Sequence, residues 1–125
     1  MGTESPTIVL VEDDAGMSQA IERVLQAGGF TSVLFVSAEA ALEACATETA
    51  DCLVLDIHLP GISGFELYRR LAHDEKVIPV IFITARDEQA VREEAESLGG
   101  VGSYLPKPFS GRDLLQAITC VLRTQ

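Results

Sequence analysis

The chain alternates between short apolar runs and longer stretches with apolar residues at helical spacing. Five runs read as strands: residues 7–11, 31–36, 52–55, 77–84 with Pro79 inside it, and 103–105. The first, third and fourth are almost continuously apolar. A strand with one wet face alternates, so an unbroken run signals cover on both faces and a parallel sheet between helices.

Helical stripes fill the intervals. Met17, Ala20, Ile21, Val24 and Leu25 repeat at spacings of three and four, and Gly28-Gly29 ends that segment. Ala38, Ala41, Leu42 and Cys45 form a second stripe, with Ser37 as its N-cap. Phe65, Tyr68, Leu71 and Ala72 form a third. Val91, Ala95 and Leu98 form a fourth, closed by Gly99-Gly100, and Leu114, Ile118, Val121 and Leu122 a fifth. Strand and helix thus alternate five times, which predicts a doubly wound α/β domain, (βα)5. The fifth helix nearly reaches the last residue, and no linker or repeat interrupts the pattern. The expectation is one domain over residues 1–125, with no output domain in the chain.

In open parallel sheets, ligands bind beyond the carboxyl ends of the strands. Here the strand ends carry chemistry: Glu12-Asp13-Asp14 after the first, Asp56 after the third, Thr84 at the end of the fourth, Lys107-Pro108 after the fifth. Each has a plain reading. Asp14 is a helix N-cap, Glu12 and Asp13 a solvated strand end, and Asp56 a turn residue before Leu-Pro-Gly. Thr84 is a cap for the helix beginning near Asp87, and Lys107 a surface charge. Together these readings weaken. Three carboxylates at neighbouring strand ends repel one another unless a cation joins them. Magnesium takes carboxylate oxygens together with phosphate and water. A firmly held Asp56 would attack phosphorus, and a metal, a lysine and a hydroxyl would stabilise the charge that builds.

Composition narrows the classes. The chain has 125 residues, with 19 Asp and Glu against 9 Lys and Arg, a formal charge of −10. That balance argues against direct binding to nucleic acid or to an anionic membrane, both of which need a basic face. Only two of the basic residues are lysines, Lys76 and Lys107. At 47% hydrophobic the chain is not disordered. Cys45, Cys52 and Cys120 are odd in number and form no C-x-x-C pair. They read as buried or half-buried free thiols in a reducing cytosol. No apolar run approaches the ~18 residues of a membrane span. The acidic N-terminus lacks the order of a signal peptide, so the expected location is cytoplasmic.

Four motifs carry a family resemblance: Val-Glu-Asp-Asp at 11–14, Leu-Asp-Ile-His-Leu-Pro-Gly-Ile-Ser-Gly at 55–64, Phe-Ile-Thr-Ala at 82–85 and Tyr-Leu-Pro-Lys-Pro-Phe at 104–109. With these the chain resembles the CheY-like response regulator receiver domains of bacterial two-component signalling. The resemblance implies a flavodoxin-like three-layer sandwich with strand order 2-1-3-4-5. It implies Asp56 as phosphoacceptor for a sensor histidine kinase or phosphotransfer protein. Magnesium, with manganese as a substitute, would be held by Asp13, Asp56, the His58 backbone carbonyl and Glu12, the last through water. Glu12 stands where many relatives have Asp. Thr84 and Lys107 would contact the phosphoryl oxygens, Thr84 and Tyr104 would form a switch pair, and the bond to Pro108 would be cis. His58 and Arg86 fall at positions that tune phosphate lifetime. The fourth helix, fifth strand and fifth helix would form the output face, where Asp87, Glu88, Arg92, Glu93, Glu94, Glu96, Arg112 and Asp113 offer ion pairs for a homodimer contact. The kinase would dock near the first helix, with Met17 or Pro108 in its apolar patch. Such a domain is a signalling phosphoacceptor, not an enzyme beyond its own phosphorylation and dephosphorylation.

Two other classes share parts of this residue set. A small magnesium-dependent phosphatase with an aspartyl nucleophile carries Asp-x-Asp at the end of the first strand; here Asp56-Ile57-His58 ends the third. A flavodoxin-like cofactor carrier needs a phosphate loop rich in glycine and hydroxyls after the first strand, where Glu12-Asp13-Asp14 would repel phosphate.

Overall fold

The computed structural model describes residues 5–44, 48–72 and 78–123. Five strands, β1 (Thr7–Val11), β2 (Thr31–Phe35), β3 (Cys52–Asp56), β4 (Val80–Thr84) and β5 (Tyr104–Pro106), alternate with five helices. The helices are α1 (Ala15–Ala27), α2 (Ala38–Glu43), α3 (Gly64–Leu71), α4 (Gln89–Gly99) and α5 (Gly111–Arg123). The sheet is parallel, in the order β2-β1-β3-β4-β5.

The apolar runs of β1, β3 and β4 are buried on both faces, as their lack of alternation predicts. Side chains alternate across the sheet and build two cores. Ile8, Leu10, Cys52, Val54, Ile81 and Ile83 face α1 and α5, meeting Ile21, Leu25, Leu114 and Ile118. Val9, Val11, Leu53, Leu55, Val80 and Phe82 face the other layer, with Ala41, Phe65, Tyr68 and Ala95. Phe65 and Tyr68 meet Phe82 edge-on, at centroid distances of 4.9 and 5.7 Å.

Several boundaries differ from the sequence reading. β2 stops at Phe35, its last partner being Val11; Val36 is 66% exposed and precedes Ser37, which caps α2 by accepting the Ala40 N–H. β4 starts at Val80, because Pro79 has no N–H to donate and supplies only its carbonyl, to Leu53. Val77 and Cys45, placed in the fourth strand and second stripe, lie outside the described residues. β3 runs one residue further, through Asp56, which pairs with Ile83. β5 begins at Tyr104: the Ser103 carbonyl accepts the Phe82 N–H, but its own N–H turns back to the Gly100 carbonyl. Of the thiols, Cys52 is buried, but Cys120 lies exposed on α5. No helix among the described residues is long and apolar enough to cross a membrane.

Candidate functional site

The register that buries β1 and β3 also brings their last residues together. Val11 pairs with Leu55, so Glu12 follows beside Asp56 on the side facing α1 and α5. Both are acids at the buried end of the sheet, 1% and 6% exposed. One oxygen from each of Glu12, Asp13 and Asp56 lies within 4.8 Å of the others, with Asp13 exposed at the mouth.

Asp56 is held from two directions. Its Oδ1 accepts the His58 N–H at 3.0 Å, and its Oδ2 lies 3.8 Å from Lys107 Nζ. The His58 side chain is exposed. A close approach behind Asp56 fixes the chain further. The Gly64 N–H donates to Ile57 at 2.8 Å, and a Cβ on Gly64 would collide with the Asp56 carbonyl. Only glycine lets α3 start so near the end of β3.

Lys107 follows β5, and its N–H donates to the Thr84 carbonyl at 2.7 Å. The Lys107–Pro108 peptide bond is cis. The lysine ammonium contacts Glu12 Oε1 at 3.1 Å, closer than Asp56. Glu12 Oε2 accepts the Asp14 N–H at 3.1 Å. Burial pushes the Glu12 carboxyl above its ordinary value, and the Asp56 charge adds to this; the Asp14 N–H and Lys107 oppose it. Asp14 itself is the α1 cap, its Oδ1 accepting the Met17 N–H at 3.0 Å.

Thr84, fully buried, turns its hydroxyl to the following loop. Oγ1 accepts the Arg86 N–H at 3.0 Å and donates to the Arg86 carbonyl at 3.2 Å. The plain reading of Thr84 as a helix cap is not met: Glu88 holds the cap position of α4, without a side-chain cap bond. Tyr104 is 7% exposed. Its hydroxyl lies 3.0 Å from Asp87 Oδ1 and 3.3 Å from the Arg86 carbonyl, and accepts the Glu88 N–H at 3.3 Å. Burial and the Asp87 bond push its phenol up, against the Glu88 N–H.

Hard carboxylate oxygens from a buried pair and an exposed neighbour suit a hard divalent cation. Such a charge would also answer the repulsion between Glu12 and Asp56. Beside the site, Met17, Val24 and Phe109 line a small apolar groove between α1 and α5. The sequence reading placed Glu12, Asp13, Asp56, Thr84 and Lys107 at one edge, and the fold brings them there. It did not foresee the Glu12–Lys107 pair, the close approach at Gly64, or Asp87 and Arg92 against Tyr104. Gly64 closes a quoted motif, which was a usable signal; the others depend on side-chain reach across strands.

Comparison with known proteins bears on the family and the fold. The family model described as "Response regulator receiver domain" matches residues 8–119. Transcriptional regulatory protein CreB of Escherichia coli (strain K12) is 36% identical over 117 residues, covering 94% of this chain and 51% of that protein. Response regulator MprA of Mycobacterium ulcerans (strain Agy99) is 36% identical over 120 residues, covering 95% and 51%. The chain therefore spans about half the length of these curated relatives. Among solved structures, a response regulator receiver protein from Burkholderia phymatum superimposes with a TM-score of 0.82 at 37% identity, covering 95% and 96%. A CheY-like receiver domain protein from Methanospirillum hungatei JF-1 gives 0.85 at 23% identity over 96% and 95%, a likeness of fold.

Proposed function

The chain belongs to the response regulator receiver domains of two-component systems, signalling domains rather than classical enzymes, and on that footing we propose that Asp56 is its phosphoacceptor. The observation that carries this is the setting of Asp56: a buried carboxylate at the end of a central strand, fixed by the His58 N–H and facing Lys107 and two further acids.

In the proposed step, an Asp56 carboxylate oxygen forms a bond to phosphorus. The bond from phosphorus to the donor breaks, and its electron pair leaves with the donor. Lys107 shifts from Glu12 toward the incoming phosphoryl oxygens, and Thr84 turns its hydroxyl from Arg86 to a third. Glu12, Asp13, Asp56 and the His58 carbonyl would hold magnesium, or manganese in its place, with Glu12 in the outer position because the Asp14 N–H already occupies its Oε2. The bound metal supplies positive charge where the transferring oxygens become negative.

Residues 1–125 act as one receiver domain in this reading, in the cytoplasm. The donor is a sensor histidine kinase or phosphotransfer protein, docking at the groove of Met17 and Phe109. Thr84 and Tyr104 pass the change to the face of α4, β5 and α5, which a downstream partner or a second copy reads. His58 and Arg86, both exposed, tune phosphate lifetime.

Incubation with magnesium and acetyl phosphate tests the reading. A labile mass gain of one phosphoryl group is expected, absent in Asp56→Asn. An undiminished adduct in that variant, or steady turnover of a phosphorylated substrate, would overturn it.

A further inference from the structure

Tyr104 is held by more than the loop backbone. Its hydroxyl meets the Asp87 carboxylate at 3.0 Å, and the Arg92 guanidinium sits 4.7 Å from its ring centroid. The Glu88 N–H and the Arg86 carbonyl are contacts any loop sequence could supply. The carboxylate and the guanidinium belong to this chain.

The bonding arithmetic gives Asp87 a particular role. A phenol has one hydrogen to donate, and a charged acceptor at 3.0 Å outcompetes a neutral carbonyl at 3.3 Å. With that hydrogen on Asp87, the Arg86 carbonyl is left to the Thr84 hydroxyl, 3.2 Å away. Both switch hydroxyls are then satisfied without competing. Arg92 adds cation–π attraction from the first turns of α4 and covers the ring. α4 buries only Ala95 fully, with Val91 and Leu98 partly buried against the core, so the contact to Arg92 adds to a thin apolar seam.

We infer that Asp87 and Arg92 are positioning residues that latch Tyr104 inward before phosphorylation, and so set the resting population of the switch. This rests on the receiver reading, with Tyr104 as its moving part. A latch of this kind narrows the response: phosphorylation has less of the outward population left to convert.

The chain has two tyrosines, Tyr68 and Tyr104, so 3-fluorotyrosine labelling yields two resonances, assigned with Tyr104→Phe. In the untreated protein the Tyr104 signal should report a buried ring. Asp87→Ala and Arg92→Ala should each raise the solvent-exposed population about fivefold, the effect of losing one such contact. Magnesium with beryllofluoride should return it inward, at a higher beryllofluoride midpoint than in wild type. Arg92→Lys should restore part of the inward signal, and an unmoved Tyr68 resonance shows that the fold is intact. An identical Tyr104 signal in wild type and both alanine variants would overturn the latch. Acetyl phosphate labelling of the same samples separates the two readings. A normal mass gain with an unmoved Tyr104 signal removes only the latch, whereas no mass gain in wild type removes the receiver reading itself.

Discussion

Thr84 and Tyr104 meet at a single atom: both hydroxyls lie within hydrogen-bonding distance of the Arg86 carbonyl, at 3.2 and 3.3 Å. Thr84 stands at the end of β4 and Tyr104 at the start of β5, so the loop after β4 is the piece both strands hold. Any movement of Thr84 toward Asp56 must release Arg86, whose N–H and carbonyl both bond to Oγ1.

Thr84→Ala should therefore loosen that loop. It removes the acceptor for the Arg86 N–H and should cost about 1–2 kcal/mol in urea unfolding. Thr84→Ser, which keeps the hydroxyl, should cost less. Labelling of Asp56 should slow but persist in Thr84→Ala, while the fluorotyrosine signal of Tyr104 stops responding to beryllofluoride. A full Tyr104 response in Thr84→Ala would show that the hydroxyl does not couple the two.

Lys107→Ala removes the ammonium that lies 3.1 Å from Glu12 and 3.8 Å from Asp56. Two buried carboxylates are then left facing each other, and about 1–3 kcal/mol of stability should be lost at neutral pH. Magnesium should still bind, and should recover more stability in this variant than in wild type, read as the shift in urea midpoint. Beryllofluoride should no longer move Tyr104. The same spectral change as in wild type would mean that Lys107 does not contact the phosphoryl group.

Gly64→Ala places a methyl group against the Asp56 carbonyl. The start of α3 or the end of β3 must move, at a cost of about 1–3 kcal/mol, typical of overpacking. Because the displaced backbone carries Asp56, the proposed phosphoacceptor, acetyl phosphate labelling should fall together with the urea midpoint. Wild-type labelling in a folded Gly64→Ala protein would show that the close approach is not needed at the site.

Cys52 predicts an alkaline limit to stability. Burial, with a smaller push from Asp51, raises its thiol from an ordinary 9.0 to about 12. Between these values the folded chain keeps a proton that the unfolded chain gives up. The stability is fully present below pH 9.0 and is lost as pH rises toward 12, by about 1.4 kcal/mol per pH unit. Tyr68 and Tyr104, also raised, act in the same direction. Cys52→Ala should be less stable at pH 7 by about 1 kcal/mol, yet fall less steeply above pH 9. Equal alkaline slopes in urea unfolding would contradict this assignment.

The fold was readable where burial leaves an unbroken mark. The solid apolar runs of β1, β3 and β4 announce a sheet covered twice, and Ser37 and Asp14 announce the helices they cap. Edges were harder to place. Val36 is apolar but lies past the last β2 pairing, and Ser103 is buried yet turns its N–H back to Gly100 rather than extending β5. Apolar character does not mark where a strand loses its partner.

The sequence by itself determined which chemistry sits at the carboxyl edge, since Glu12, Asp13, Asp56, Thr84 and Lys107 all end or follow strands of a recognisable parallel sheet. Only the tertiary structure decided how these groups divide their bonds. Lys107 lies nearer Glu12 than Asp56, Thr84 is bonded to Arg86, and Tyr104 is held by Asp87 and Arg92. The reason is physical: strand order and alternation follow from local patterns, whereas a hydrogen bond between residues as far apart as Glu12 and Lys107 is set within tenths of an ångström by how the strands pack.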